Sequence, residues 1–297
     1  MIITNNENLP APIYNLCGEE NYKPAANEYR VTSILKGTKE AVLEKRHWDE
    51  IERDCSDMAW LLWGTLAHKV LELQQEGKSQ IKEARLSEEI QGHILSGQFD
   101  LYDAEEKTLT DYKTCSVWKV IYGDYADWRR QTLIYCWLLK KAGFEVEKAQ
   151  VVAMMRDHQI SKAKFDKHYP KYPFKKITFE FDDNDLLEIE RFIEAKLADI
   201  SEAEHLPDDA IVPCTPKERW TSETKYAVMQ RGKKKALRLL TSENEAYAWM
   251  RYNGGDYVET RKGEDKKCKD YCAVCEFCSY YRQHVQEYEG GYVKWHK

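Results

Sequence analysis

Two short stretches decide how this chain is read: Gly97-Gln98-Phe99-Asp100 and, shortly after it, Thr110-Asp111-Tyr112-Lys113-Thr114. Around them the sequence turns into short alternating runs broken by Gly92, Gly97 and Asp103, which predicts strands over 81–91, 93–102 and 107–114. Asp111 and Lys113 are two apart on a strand, so their side chains leave the same face. If the strand ending at Asp100 pairs antiparallel with theirs, its carboxylate comes to lie beside both. A lysine that shares a strand face with a carboxylate in an otherwise apolar sheet costs desolvation unless it has a partner or a task.

Working outward, Asp57 to Gln75 has helical spacing, with Ser56-Asp57 able to cap it and Leu61, Leu62, Leu66, Val70, Leu71 and Leu73 recurring along it. This helix carries Gly64-Thr65-Leu66-Ala67-His68. A second helix is predicted from Tyr125 to Lys141, stopping at Gly143. On it Gln131 and Tyr135 stand one turn apart and share a face. Further strands are expected over 147–157 and 176–181, and a helix over 183–200. Val31 to Glu52 also has helical spacing. Residues 1–30, with Pro10, Pro12 and Pro24, read as an irregular lead-in. The break at His205-Leu-Pro-Asp-Asp, followed by Pro213 and Pro216, divides the chain into segments 1–30, 31–205 and 206–297. In the last of these, 225–230 and 234–240 read as a hairpin about Arg231-Gly232, 243–252 as a helix and 256–261 as a strand.

The 297 residues are 42% hydrophobic and 32% charged, a soluble globular composition. No apolar run approaches the ~18 residues a membrane span needs. The first ten residues lack a basic stretch followed by an apolar one, so the expected location is cytoplasmic. The net charge of −6 conceals an asymmetry: from Ile211 onward there are 17 Lys and Arg against 12 Asp and Glu, and before it 28 against 39. An acidic region beside a basic tail fits clustered carboxylates that hold cations.

Two aspartates and a histidine are ligands suited to Mg²⁺ or Mn²⁺. A lysine next to them can position water or stabilise developing negative charge, which is what phosphodiester hydrolysis requires. The sequence has no Gly-x-x-x-x-Gly-Lys-[Ser/Thr], Gly-x-Gly-x-x-Gly, His-Glu-x-x-His or Gly-x-Ser-x-Gly, which excludes the nucleotide-binding and hydrolase classes those motifs mark.

The order Gly-x-x-x-His, Gly-x-x-Asp, Asp-x-Lys, Gln-x-x-x-Tyr over residues 64–135 resembles the RecB-like branch of the PD-(D/E)XK nuclease superfamily. The resemblance implies an α/β, restriction-endonuclease-like core with a mixed central sheet flanked by helices, followed by a C-terminal α+β subdomain closed by a four-cysteine site. It implies His68, Asp100, Asp111 and the backbone carbonyl of Tyr112 as ligands of Mg²⁺ or Mn²⁺. Lys113 would align the attacking water, and Gln131 and Tyr135 would orient the lysine and the substrate. The implied activity is that of a metal-dependent DNA exonuclease leaving a 5′-phosphate, used in phage or mobile-element recombination, with DNA and a single-strand annealing protein as partners. A CRISPR-adaptation-type nuclease is the nearest alternative. A non-catalytic, metal-stabilised DNA-binding module is an alternative of another class.

Nine cysteines complete the reading. Cys17, Cys55, Cys115 and Cys136 are widely spaced and read as small buried side chains. Cys268, Cys272, Cys275 and Cys278 fall within eleven residues, a density that reads as a metal or cluster site. Iron–sulfur members of the resembled branch use one upstream cysteine and three near the C-terminus, which implies a [4Fe–4S] cluster on Cys214, Cys268, Cys272 and Cys278, with Cys275 spare. An all-local set that includes Cys275, and a Cys₄ zinc site, are both open, since four thiolates suit either metal. In each case the role is structural. For DNA phosphates the candidates are Arg231, Lys233, Lys234 and Lys235 in the densest basic run, and Arg129-Arg130 at the lip of the expected site. Trp118, Trp128, Trp137 and Trp220, with many of the 19 tyrosines, are of a kind that stacks on unpaired bases, but most aromatics belong to the core and none is singled out for DNA.

Overall fold

A computed structural model of the chain describes residues 1–19, 23–74 and 77–285, together with the backbone of the strand pair 288–289 and 292–293. The chain divides into two units, Met1–His205 and Leu206–Lys297.

The first unit opens with β1 (Ile2–Thr4), α1 (Ala11–Glu19), β2 (Glu28–Arg30), α2 (Val31–Ile34), α3 (Thr38–Arg46) and β3 (Glu52–Asp54). The lead-in over 1–30, expected to be irregular, therefore contains two strands and a helix. Pro10 and Pro12 flank the first residue of α1, where a missing N–H costs nothing. β1 runs parallel to β3 and is fastened to it by the Asp54 carboxylate, which accepts from Thr4 Oγ1 and the Asn6 N–H, each at 2.8 Å. Cys17 and Cys55 pack with Met58 and Leu62 in a small apolar cluster.

A 3₁₀ turn at Cys55–Met58 leads into α4 (Ala59–Glu72), and its cap is Asp54, not the predicted Ser56-Asp57. The predicted last residue of this helix, Gln75, lies outside the described residues. Next come β4 (Gln80–Lys82), β5 (Arg85–Ile90), β6 (His93–Gln98), β7 (Leu101–Asp103) and β8 (Thr108–Cys115). Two predicted strands are each divided: 81–91 breaks at Glu83-Ala84, and 93–102 breaks at Phe99-Asp100. Alternation reports which face a side chain takes but not which partner the strand has. Here the chain changes partner at both breaks. β2, β6 and β5 form one three-stranded sheet, and β4 and β7 belong to a five-stranded sheet of order β10-β9-β8-β7-β4. The β5–β6 hairpin closes on Gln91-Gly92 with φ of 52° and 81°, the two positive angles that a type I′ turn demands.

The unit continues with α5 (Val117–Tyr122), α6 (Ala126–Lys141), β9 (Lys148–Met155), α7 (Ile160–Phe165), β10 (Phe174–Glu180) and α8 (Asp183–Glu204). β8 and β9 are parallel, so a crossover must join them, and α5 and α6 supply it. The crossover helix α6 is deeply buried, with Leu133, Ile134, Cys136 and Leu139 at 1% exposure or less. α8 packs Leu186, Ile189, Ile193, Leu197 and Ile200 inward. Each such side chain contributes about 1.5–3 kcal/mol of transfer free energy. Trp128 and Trp137 are part of this interior, which removes them as base-stacking candidates.

In the second unit β11 (Lys225–Met229) is the centre of an antiparallel sheet with β12 (Arg238–Leu240) and β13 (Tyr257–Arg261), and α9 (Glu243–Asn253) lies in chain order between the last two. The predicted hairpin is present, but its second arm shortens from 234–240 to 238–240. Lys233, Lys234 and Lys235 therefore stand in the exposed connection, not on a strand. Two short helices follow, α10 (Lys266–Asp270) and α11 (Ser279–His284). Among the described residues no helix is long and apolar enough to cross a membrane.

Candidate active site

The site forms where the three-stranded and five-stranded sheets of the first unit meet. At the break between β6 and β7, Asp100 turns out of the strand. At the break between β4 and β5, Glu83 takes φ of 49°, a left-handed backbone that a non-glycine residue adopts only when its surroundings hold it there. The two breaks are joined by the Glu83 N–H donating to the Asp100 carbonyl (3.1 Å) and the Phe99 N–H donating to the Ala84 carbonyl (3.2 Å). Leu101 pairs antiparallel with Thr110, so Asp100 stands beside Asp111 as the spacing predicts.

His68 on α4 reaches this junction. Its Nδ1 lies 3.4 Å from Asp100 Oδ1 and 3.8 Å from Glu83 Oε1. One ligand atom from each of His68, Glu83 and Asp100 lies within 4.8 Å of the others. The two carboxylates, Asp100 foremost, push the imidazole pKa up to about 10 against the opposing effect of burial. Asp100 Oδ2 accepts from the Tyr112 N–H at 2.6 Å, and Glu83 Oε2 accepts from Gln98 Nε2 at 2.9 Å. The Tyr112 backbone thus fixes Asp100 through its amide, where the resemblance implies a role for its carbonyl.

Asp111 and Lys113 form the adjacent half of the site. Lys113 Nζ donates to Asp111 Oδ1 at 3.1 Å and sits 2.8 Å from Oδ2 without the alignment of a hydrogen bond. Asp111 is buried, and its Oδ2 accepts no aligned hydrogen bond. Burial raises the Asp111 pKa; Lys113 opposes that rise and Asp100 adds to it. Asp100 and His68 both bear on this titration, which places the two halves of the site within electrostatic reach of each other. Behind them, Gln131 Nε2 donates to Tyr135 Oη at 3.2 Å. Tyr135 is buried, and desolvation, then the Asp111 carboxylate, hold its phenol protonated well above the usual range.

Gly97 has a steric reason to be glycine. A Cβ there would lie 2.7 Å from Tyr135 Cε1 and 2.8 Å from Val31 Cγ2. Gly64 has no such reason, since its Cβ would make an ordinary contact with Thr114 Oγ1 at 3.6 Å.

Of the predicted site residues, the structure brings together His68, Asp100, Asp111, Tyr112, Lys113, Gln131 and Tyr135. It places Arg129 and Arg130 elsewhere. Arg129 pairs with Asp185 at 2.8 Å and Arg130 stacks 4.8 Å over Phe192, so both are taken up by α8 and not by the lip of the site. Glu83 and Gln98 carry no signal in the sequence. Ile81-Lys82-Glu83-Ala84-Arg85 reads as one uninterrupted strand, and only the left-handed turn at Glu83 aims its side chain at His68.

In the second unit Cys214, Cys268, Cys272, Cys275 and Cys278 are half-buried, and none of them is in a disulfide. Arg219 draws two segments together. It donates to the Cys214 carbonyl, pairs with Asp265 at 3.2 Å and lies 4.3 Å over the Tyr280 ring. Burial pushes the Cys268 thiol up to about 12, with Asp265, Cys214 and Cys278 adding to the rise.

No family model and no curated protein matches this sequence. Among solved structures the chain is similar to SSO0001, with 16% identity and a TM-score of 0.43 over 61% of this chain and 82% of that one. It is also similar to a phage-related exonuclease from Haemophilus somnus 129PT (14% identity, TM-score 0.35, 60% and 94% of the two chains). A third likeness is to LHK-Exo, an alkaline exonuclease from Laribacter hongkongensis (12% identity, TM-score 0.33, 62% and 93%). Likenesses this distant decide nothing about the chemistry, for which the geometry of the site is the ground.

Proposed function

We propose that this chain is a divalent-cation-dependent deoxyribonuclease that degrades DNA from its ends. The observation that carries the reading is the convergence of His68, Glu83 and Asp100 beside a buried Asp111 paired with Lys113. An imidazole with carboxylates fits Mg²⁺ or Mn²⁺, and the buried Asp111 carboxylate, one oxygen of which accepts no hydrogen bond, offers a further oxygen ligand. Asp100 and Asp111, joined by His68 and Glu83, would hold the ion. A divalent cation held there supplies Lewis acidity toward water and toward a phosphodiester oxygen.

The chain's own groups do the rest. Lys113 Nζ, held beside Asp111, stabilises the negative charge that builds on the phosphate as water attacks in line and the bond to the 3′-oxygen breaks. The products are a 5′-phosphate and a 3′-hydroxyl. Tyr135 Oη, accepting from Gln131, keeps its own proton free to donate toward the reacting centre. Product analysis on end-labelled linear DNA and on closed circular DNA tests the reading. With Mg²⁺ or Mn²⁺ the linear form should fall to 5′-mononucleotides while the circle survives, and EDTA should stop the reaction. Cleavage indifferent to EDTA, or equal attack on the circle, would overturn it.

The cysteines of the second unit are proposed to hold a [4Fe–4S] cluster through Cys214, Cys268, Cys272 and Cys278. The support is the drawing of the Cys214 segment to Asp265 and Tyr280 by Arg219. A zinc tetrahedron with Zn–S bonds of about 2.3 Å would need its sulfurs within about 4 Å of one another. Among the described residues no three of these sulfurs lie within 4.8 Å of one another. Anaerobically purified protein should be brown and contain iron and acid-labile sulfide; colourless protein loaded with zinc would refute the cluster.

A further inference from the structure

Between β9 and the middle of β10 the first unit changes character. Arg156 to Lys176 carries seven basic and two acidic side chains, within a stretch of chain that is otherwise rich in acid. All six lysines of this segment are exposed. Elsewhere in the unit lysines are matched to carboxylates, as in Lys36–Glu44, Lys45–Glu204, Lys107–Glu147, Lys119–Asp127 and Lys141–Glu190. Among the described residues, none of the six in this segment makes an ion pair.

Aromatic rings lie exposed between these cations. Phe165 is 88% exposed and Tyr172 62%. Next to the segment, on α5, Trp118 stacks on Tyr122 with ring centroids 5.8 Å apart, and Tyr122 is 77% exposed. The two elements are tied together, because Asp157 accepts from Ser116 Oγ (2.7 Å) and the Val117 N–H (2.6 Å). Lys162 stands 5.6 Å over the Trp118 ring, and Arg156 lies 4.3 Å over exposed Trp60 on α4. The segment starts near the candidate active site. Lys113 is in register with Ala153, so the segment leaves the sheet three residues, or about 10 Å, beyond the lysine. Trp60 is on the helix that carries His68.

Unmatched cations and exposed rings have different natural partners. Lysines suit phosphates, and flat rings suit the faces of bases that are not paired. A duplex would satisfy only the first, because its bases are stacked on one another. An acidic peptide would likewise leave the rings unused. We propose that the 156–176 segment, with Trp118, Tyr122 and Trp60, is a binding surface for single-stranded nucleic acid, which delivers an unpaired strand to the site. As a statement about substrate it rests on the nuclease reading above; as a statement about binding it stands without it.

The test uses the full chain in EDTA, so that no cleavage is involved, and follows the anisotropy of a labelled single-stranded oligonucleotide and of the same strand in a duplex. The single strand should bind at least ~10-fold more tightly. The double variant Phe165→Ala/Tyr172→Ala should lose about 10-fold or more of single-strand affinity, in line with the worth of a stacked base, with little change in salt dependence. Tyr122→Ala, on a different element, should weaken binding independently. Lys164→Ala/Lys167→Ala should lower the slope of log affinity against log salt by roughly 0.7 for each phosphate that the variant no longer neutralises. Thermal melting confirms that each variant is folded, which the exposure of the positions favours. Equal affinity for duplex, aromatic variants that bind like the wild type, or polyglutamate competing as well as an unlabelled strand would each overturn the proposal. Single-strand binding that depends on Phe165 and Tyr172 in a protein that never cuts DNA would refute the nuclease reading alone. Cutting that persists with no effect of these variants on binding would refute the surface alone.

Discussion

Lys113→Ala is expected to lower the rate of nucleotide release from linear DNA by about 10²- to 10³-fold at saturating Mg²⁺ or Mn²⁺, the loss typical when one preorganised charge-stabilising group is removed from an active site. The position explains the size of the effect. Nζ is held 2.8 Å from a carboxylate that is only 4% exposed, so the positive charge is fixed in a partly dry pocket where it acts strongly. The loss should fall on kcat and leave KM for DNA nearly unchanged, since the group acts on charge that develops only as the bond breaks. The folded state should suffer too, because Asp111 loses the cation that offsets its burial. Removing one member of a buried pair costs up to about 3–5 kcal/mol, and the partial exposure of Lys113 puts this case at the lower end or below. Urea unfolding separates the two effects. A folded Lys113→Ala protein that keeps more than about a tenth of the wild-type rate would remove Lys113 from the chemistry.

The second large effect is expected from the smallest change. In Gly97→Ala the new methyl would lie 2.7 Å from the Tyr135 ring and 2.8 Å from Val31, and both neighbours are buried, so neither can swing away freely. Overpacking of this kind costs about 1–3 kcal/mol of stability. The consequence for activity is larger. Gly97 precedes Asp100 by three residues and presses on the ring that carries the Gln131-bonded hydroxyl, so a displacement disturbs both sides of the site. A shift of about 1 Å in a positioning group costs on the order of 10²-fold in rate. Gly64→Ala, with only an ordinary contact to Thr114, should remain active and is the matched control. The expectation fails if folded Gly97→Ala protein, measured by circular dichroism alongside the cleavage assay, works at the wild-type rate.

How much of this is legible in the sequence depends on the range of the interaction that fixes each feature. The helix bearing His68, the strand bearing Asp111 and Lys113, and the helix bearing Gln131 and Tyr135 announce themselves by periodicity, because burying one face against a core imposes a period of 3.6 or 2 on the sequence. The breaks at Glu83-Ala84 and Phe99-Asp100 do not. Both flanks of each break keep the alternation of a single strand, and it is the exchange of one sheet for another that bends the chain there. Glu83 escapes notice for that reason, and so does the hold of Gln98 upon it. Arg129 and Arg130 are misplaced by the same limitation: a helix has two polar flanks, and the sequence does not say which of them α8 will cover.

The sequence by itself determined the kinds of group available and the elements that carry them, since side-chain chemistry and local period are written residue by residue. Only the tertiary structure decided that Glu83 joins His68 and Asp100, that Asp111 is buried and leans on Lys113, and that the lysines of 156–176 meet no acid among the described residues. Those outcomes depend on which segments approach in space and how much water they exclude, and both are properties of packing between residues far apart in the chain.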